Sequence, residues 1–394
     1  MATSLSQKTG RKCADGSIGL VNPVAEDTLR STVFFDPVCP RPYSARSLAE
    51  RALGGTESSV IRVAEALGAV VMQHNRSDAE GRYQPPRPSP EVRNLVVLRD
   101  ARVVAQLGSL FPNARMHLWL HDLHSPGSTR GRWLASAAHA LAARQATIIC
   151  VSDFLRARVD AVLRRARQGS GIGTHRIFNP IDDDLSPRGE SFDPSKLVFL
   201  SSPNKGLAFT LAAFHRLRQA FPDLQLNVAN PGYRATRRIE LTNVHWLGAL
   251  PHARALDETR TALCVFMPNF VIPETFGLVF AEANAVGTPV LTHACGAAEE
   301  VLGDSSQLLP VTRGQRGYEL LTRALPWRLR AVTACAAARL GIFEAYVARI
   351  TAWRSGERPV VGPDPRFRLS RIADEWRALL QEEPGQRGAE RAPR

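Results

Sequence analysis

Short apolar runs recur along this chain, and the segments between them space their apolar positions for helices. The stretch around VFFD (32–38) predicts a first strand. After SARSLAERALGG, the segment ESSVIRVAEALG (57–68) has helical spacing, and AVVMQH (69–74) predicts a second strand. RSDAEGRYQPPRPSPEVR is polar and proline-rich, which predicts a loop. NLVVL (94–98), MHLWLH (116–121) and ATIICVS (146–152) predict further buried strands, with helical segments between the last two. Strand and helix in alternation imply a parallel, doubly wound sheet.

A break falls near 166–196, where ARQGSGIG and NPIDDDLSPRGESFDPS are rich in Gly, Ser, Pro and Asp and read as a linker. Alternation then restarts. KLVFLS (196–201), LQLNVAN (224–230), NVHWLG (243–248), ALCVFMP (262–268), PVLTHA (289–294) and SQLLPV (306–311) predict strands. Helices are predicted at 206–220, from 252, and at 276–286, giving a second doubly wound sheet. From 313 onward the pattern is mostly helical and arginine-rich. RPVVGPDPRF (358–367) reads as a loop before a last helix, LSRIADEWRALL (369–380).

Length and composition set bounds on this picture. The chain of 394 residues has room for two domains or slightly more. Apolar residues make up 44% and charged residues 22%, ordinary globular usage. No apolar run reaches the roughly 18 residues needed to span a bilayer. The first 30 residues are polar and lack a signal-peptide core, so they read as a loose leader and the cytoplasm as the compartment. The six cysteines form no CxxC pair and read as free thiols. Net charge is +13, and all but four of the 50 basic residues are arginine. They are spread without a dense block or aromatic interleaving. That speaks for an arginine-biased solvated surface and against specific nucleic-acid binding; a peripheral contact with an anionic membrane surface is one partner the charge admits.

The most informative stretch is PETFGLVFAEANAVGTPVL, 273–291. Thr275 is placed to cap a helix starting at about Phe276, and Gly277 in its first turn leaves the backbone N–H groups open. Such a helix start favours an anion. Glu282 lies six residues further in, roughly 9 Å along the axis. Phosphates at the helix start and ribose hydroxyls at the carboxylate suit that separation. The run Asp182 to Asp184 raises a second possibility, a divalent-metal pair, but it sits in a linker beside Asn-Pro. No HExxH, nucleophile elbow or P-loop occurs.

Glu274 and Glu282, with seven residues between them, resemble the E-x7-E motif of retaining glycosyltransferase family 4, also called group 1. The resemblance implies that Glu274 lies by the donor hexose. It implies that Thr275, Phe276, Gly277 and Leu278 bring backbone amides to sugar and diphosphate, and that Glu282 binds the ribose. GAAEEVL (296–302) resembles the segment that follows in the family. SSPNKGL (201–207) resembles its strand-end loop, which puts Lys205 at the diphosphate with Ser201 and Ser202 beside it. Many members carry an Arg about six residues before that Lys; LVFLSS has none here. LGGTES (53–58) resembles the glycine-rich loop of the first lobe, with Gly54 and Gly55 open to ligand. WLHDLH (119–124) places His121 near the reacting sugar, with Asp122 and His124 as neighbours. Lys205, Glu274 and His121 are thus the expected catalytic positions. VSDFLRARV (151–159) and FNPIDDDL (178–185) resemble the exit from the first sheet and the crossing between lobes.

The resemblance implies a GT-B fold, two doubly wound Rossmann-like lobes facing a cleft. The division expected is a leader (1–30), an acceptor-side lobe (31–178), a nucleotide-sugar lobe (179–350), a loop and closing helix that packs back on the first lobe (351–382), and a tail (383–394). The activity implied is metal-independent transfer, with retention, from a nucleotide sugar of UDP or GDP type to a saccharide or glycolipid hydroxyl, in polysaccharide or glycoconjugate synthesis, without a cofactor. A sugar-nucleotide epimerase of the same fold and an inactive nucleotide-sugar-binding protein are the alternatives.

Overall fold

The computed structural model describes residues 31–230, 241–270, 272–312 and 343–382. The leader at 1–30, the tail from 383 and most of the arginine-rich segment from 313 therefore lie outside the described residues.

The first lobe is built from strands β1 (Thr32–Asp36), β2 (Val70–Gln73), β3 (Tyr83–Gln84), β4 (Asn94–Leu98), β5 (Arg115–Leu120), β6 (Thr147–Cys150) and β7 (Gly173–Arg176). Its helices are α1 (Ser47–Glu50), α2 (Gly55–Leu67), α3 (Val104–Leu110), α4 (Thr129–Ala143) and α5 (Asp153–Leu163). The sheet runs β3-β2-β1-β4-β5-β6-β7, and its strand pairs are parallel. β1, β4 and β6 are buried at every position, as a parallel sheet covered on both faces requires.

The second lobe repeats the scheme. Strands β8 (Asp193–Leu200), β9 (Gln225–Ala229), β10 (Val244–Gly248), β11 (Ala262–Phe266), β12 (Val290–His293) and β13 (Leu308–Leu309) alternate with α6 (Leu207–Ala220), α7 (His252–Arg260), α8 (Leu278–Ala285) and α9 (Ala298–Val301). The order β10-β9-β8-β11-β12-β13 is again parallel. In both sheets the order reverses beside the first strand, between β1 and β4 and between β8 and β11. Crevices open at such points beyond the carboxyl ends of the strands.

Two strands are absent from the hydropathy pattern. β3 is a pair of residues at the sheet edge inside the proline-rich stretch, and β7 (GTHR) has no apolar residue and is only half-buried. The segment read as a linker from 166 thus still contributes the last strand of the first sheet.

Helices α10 (Glu344–Ala352) and α11 (Leu369–Gln381) complete the described chain. α11 buries Ile372, Ala373, Trp376, Leu379 and Leu380, a single helical stripe. That stripe lies on the first lobe, where Trp376 packs 5.5 Å from Phe34 and 4.8 Å from Trp119, ring centre to ring centre. Arg377 also donates to the carbonyl of Ala66 at 2.9 Å.

The two crossings between lobes are tied to each other. Ile181 N–H donates to the Phe367 carbonyl (2.8 Å), and Leu369 N–H donates to that of Ile181 (2.9 Å). Phe367 packs edge-on against Phe178 and Phe276, which are tilted to each other, beside them. A further tie runs from Glu300, whose carboxylate accepts the Asp153 and Phe154 amides at the start of α5, at 2.8 and 3.2 Å. The lobes therefore meet through polar groups on both sides of the crossings.

Candidate donor site

Glu274 follows β11 and is held by its backbone. It forms a parallel bridge with Gly296, and Ala297 N–H donates to its carbonyl at 2.8 Å. Gly296 has φ +75°, and a Cβ there would lie 2.3 Å from the Glu274 carbonyl oxygen. Only glycine allows this approach, which gives the segment after β12 its role.

The Glu274 side chain is 5% exposed. Its Oε2 accepts from Lys205 Nζ at 2.7 Å, while Oε1 is buried with no hydrogen-bond partner among the described residues. A buried carboxylate oxygen left unpaired is costly, and ligand hydroxyls are a natural source of the missing donor. Lys205 sits in the loop after β8, shaped by a bond from its own N–H to the Ser202 carbonyl (2.9 Å). Ser202 is buried and its hydroxyl donates to Asn204, so Ser201 is the half-buried hydroxyl of that loop.

Helix α8 begins at Leu278, two residues later than the sequence pattern suggests. Gly277 (φ +90°) occupies the N-cap position and supplies no side-chain cap. Thr275 does not cap the helix: its hydroxyl donates across the cleft to the carbonyl of His121 at 2.6 Å. The left-handed Gly277 breaks the turn that would have joined Thr275 to the helix. Phe280 N–H turns back to the Gly277 carbonyl (2.8 Å), so the amides that can meet an anion at the start of α8 are those of Leu278 and Val279. α6 starts the same way, after left-handed Gly206 without a side-chain cap. In contrast, α4 and α5 carry Ser128 and Ser152 as caps.

From the first lobe, α2 starts at Gly55 with Gly54 as N-cap and no side-chain cap. A Cβ at Gly55 would lie 3.8 Å from Leu278 Cδ2, so the open starts of α2 and α8 face each other across the cleft. His121 closes β5 at the same place. It is 7% exposed, and both its ring nitrogens are buried without a partner among the described residues. Burial, and then the Arg99 charge, hold its imidazole well below the ordinary range, so it is neutral near pH 7. Asp122 pairs with Arg130 (3.5 Å), and the Asp122 carbonyl engages His124 Nδ1 (2.8 Å). Behind His121 lies a buried charged group: Arg99 reaches Glu57 (2.8 Å) and Asp36 (3.5 Å), and Tyr43 donates to Asp36 (2.9 Å).

Glu282, on α8, is 8% exposed. Its Oε1 accepts from His252 Nε2 (2.8 Å) and Arg62 Nη2 (3.3 Å). Burial alone would raise its pKa; the His252 charge and bond, then Arg62, win and lower it. His252 is raised in return, chiefly by the Glu282 charge. Arg62 also forks onto Asp182, Nε–Oδ1 2.7 Å and Nη2–Oδ2 2.8 Å. Asp183 accepts from the Ser370 amide (3.1 Å), so both aspartates bind protein groups at the crossing. Arg62, His252 and Asp182 were not foreseen around Glu282. The one sequence signal is a charged residue inside the apolar run VIRVA of α2.

The family "Glycosyl transferases group 1" matches residues 194–320, the stretch that carries Lys205, Glu274 and Glu282. The phosphatidyl-myo-inositol mannosyltransferase of Mycolicibacterium smegmatis is 32% identical over 115 residues, 28% of this chain and 30% of that protein. The same-named protein of Mycobacterium tuberculosis is 33% identical over 177 residues, 41% of this chain and 45% of that one. The chain thus spans less than half the length of these curated relatives. Among solved structures, Anabaena HepE with UDP-glucose aligns with TM-score 0.57 at 16% identity, over 89% of this chain and 99% of that one. Sucrose-phosphate synthase from Thermosynechococcus elongatus aligns with TM-score 0.55 at 17% identity, over 89% and 98%. At such identities the likeness concerns the fold alone, and that fold is GT-B: two parallel-sheet α/β lobes facing a cleft.

Proposed function

We propose that the protein is a glycosyltransferase of family 4 type that takes a sugar from a nucleoside diphosphate with retention at the anomeric carbon. One observation carries the reading. Among the described residues, Glu274 Oε1 and both His121 ring nitrogens are buried and unpaired on opposite walls of the cleft, joined by the Thr275–His121 bond. Polar atoms kept this way suit the hydroxyls of a bound hexose. The open start of α8 and the Lys205 ammonium suit the diphosphate, and Glu282 suits the ribose.

In the reaction, the acceptor hydroxyl oxygen bonds to the anomeric carbon as the bond to the diphosphate oxygen breaks. The diphosphate leaves with the electron pair, and the acceptor proton passes to a departing phosphate oxygen on the same face. Lys205 and the α8 amides stabilise the charge that develops there. Neutral His121 holds a sugar hydroxyl. Lobe closure keeps water out and so limits donor hydrolysis. The charge is met without a metal ion in this reading.

The relatives' names make a mannosyl group and a phosphatidylinositol acceptor the first pair to test, and UDP-glucose the first alternative donor. The test is calorimetric titration with UDP, GDP, ADP and their sugars, followed by transfer assays and NMR assignment of the product anomer. Failure to bind any member of that panel would sink the reading, and an inverted product would remove retention from it.

A further inference from the structure

The Glu282 carboxylate belongs to the second lobe, yet its surroundings are completed from the first. Arg62 projects from α2 and is 3% exposed. Its two short bonds, 2.7 and 2.8 Å, go to Asp182 in the lobe crossing, and its contact with Glu282 is longer, at 3.3 Å. A planar fork closed on a carboxylate has a fixed orientation. The position of Arg62 is therefore set by Asp182, and Glu282 turns to meet it. Both contacts to Glu282, from Arg62 and His252, fall on Oε1. An ionised carboxylate has about four lone-pair sites. With the Oε1 sites taken, Oε2 is the oxygen left to accept hydroxyl protons.

We infer that Arg62 is a positioning residue of the donor site: held by Asp182, it fixes Oε1 of Glu282 and turns Oε2 to the ribose. This rests on the reading of Glu282 as the ribose partner. Nucleotide affinity then depends on a side chain of the acceptor-side lobe, and the second lobe alone does not form the full ribose site. In this proposal Arg62 acts on the ribose through Glu282, and its own Nη1 is buried without a partner among the described residues.

The test uses the full chain, the tightest-binding of UDP, GDP and ADP, and the matching nucleoside, titrated into Arg62→Gln, Glu282→Ala and the double variant. Arg62→Gln is expected to weaken nucleoside and nucleoside diphosphate by the same factor, on the order of 10-fold. The double variant is expected to bind no more weakly than Glu282→Ala. If Arg62→Gln binds like the unmodified protein or tighter while Glu282→Ala is weakened, the proposal is overturned and the ribose reading stands. A loss confined to the diphosphate, or a loss that adds to that of Glu282→Ala, also overturns it. If Glu282→Ala binds the nucleoside normally, the ribose reading itself has failed. Should Arg62→Gln not fold, Asp182→Asn keeps Arg62 and loosens its fork; a smaller loss in the same direction is expected, and no loss counts against the proposal.

Discussion

A Cβ on Gly296 would stand 2.3 Å from the carbonyl oxygen of Glu274 and 2.6 Å from its nitrogen. The two backbones pair at this point, and Ala297 N–H adds a bond to the same carbonyl. Gly296→Ala must therefore displace Glu274 or strain a residue at φ +75°. The strain amounts to roughly 1–3 kcal/mol. The variant should show a lower melting temperature and a loss of turnover larger than its loss of nucleotide affinity, because in the proposed reading the displaced carboxylate faces the hexose. Unchanged turnover at an unchanged melting temperature would show that Glu274 does not depend on this contact.

His121 lies on the opposite wall, and in the proposed reading it acts on the sugar alone. His121→Ala should cut turnover by at least about 10-fold, as expected for a hydrogen bond strengthened in the transition state, and leave free-nucleotide affinity nearly intact. Its imidazole is held well below the ordinary range by burial, so no loss of turnover from its protonation is expected between pH 6 and 8, a window bracketing the ordinary value near 6.5. Parallel titrations of nucleotide and nucleotide sugar make the check. Equal losses of both would assign His121 to folding.

In the proposed reading, diphosphate charge is met by the Lys205 ammonium and by amides at the start of α8. Transfer should persist in excess EDTA, and Lys205→Ala should lose turnover with or without added Mn²⁺ or Mg²⁺. An activity abolished by EDTA and restored by either ion would put the leaving-group charge elsewhere.

His252 gives the lobe junction a pH dependence. Glu282 raises its pKa in the folded protein. The stability it contributes is therefore complete below the unfolded-state value near 6.5, and is lost as pH rises through the folded value. Buried His121, His124 and His293 are shifted down and contribute with the opposite sign, losing stability as pH falls. The difference in melting temperature between the unmodified protein and His252→Gln isolates the junction. It should be largest near pH 6 and shrink toward alkaline pH. A difference that stays flat with pH would mean that the imidazolium is not what holds Glu282.

Hydropathy made the two sheets legible because their central strands are buried on both faces and read as continuous apolar runs. β4 spans the NLVVL run, whereas β3 and β7 escaped because edge strands need little apolar surface. The motif 273–291 located the helix, but not its start: Gly277 at φ +90° sets the N-cap, a backbone choice that letter patterns do not encode. Thr275 read as a cap because capping depends on the local chain, while its actual partner, the His121 carbonyl, is 154 residues away in sequence. Arg62 escaped for the same reason. Its partners come from the crossing and from the other lobe, and its place inside the apolar run VIRVA marks it as unusual without naming them.

Glu282 gives the sharpest test of the site. Its carboxylate should accept from the ribose hydroxyls of the donor, and hydrogen bonds to a charged group contribute roughly 1.5–3 kcal/mol, so Glu282→Ala should weaken nucleotide binding roughly 10- to 150-fold. Part of that loss would come from Arg62 and His252, which would lose the anion between them. Glu282→Gln keeps the shape and one acceptor oxygen but not the charge, and should fall between the unmodified protein and the alanine variant. The effect should appear for free nucleotide as well as nucleotide sugar, because ribose is common to both. Glu274→Ala should leave free-nucleotide affinity alone and weaken the complete donor, since its unpaired Oε1 faces the hexose in this reading. Calorimetry of the four proteins with both ligands separates the two carboxylates. If Glu282→Ala binds free nucleotide as tightly as the unmodified protein, α8 does not read the donor ribose, and the Arg62–His252 cluster is a tie between lobes and nothing more.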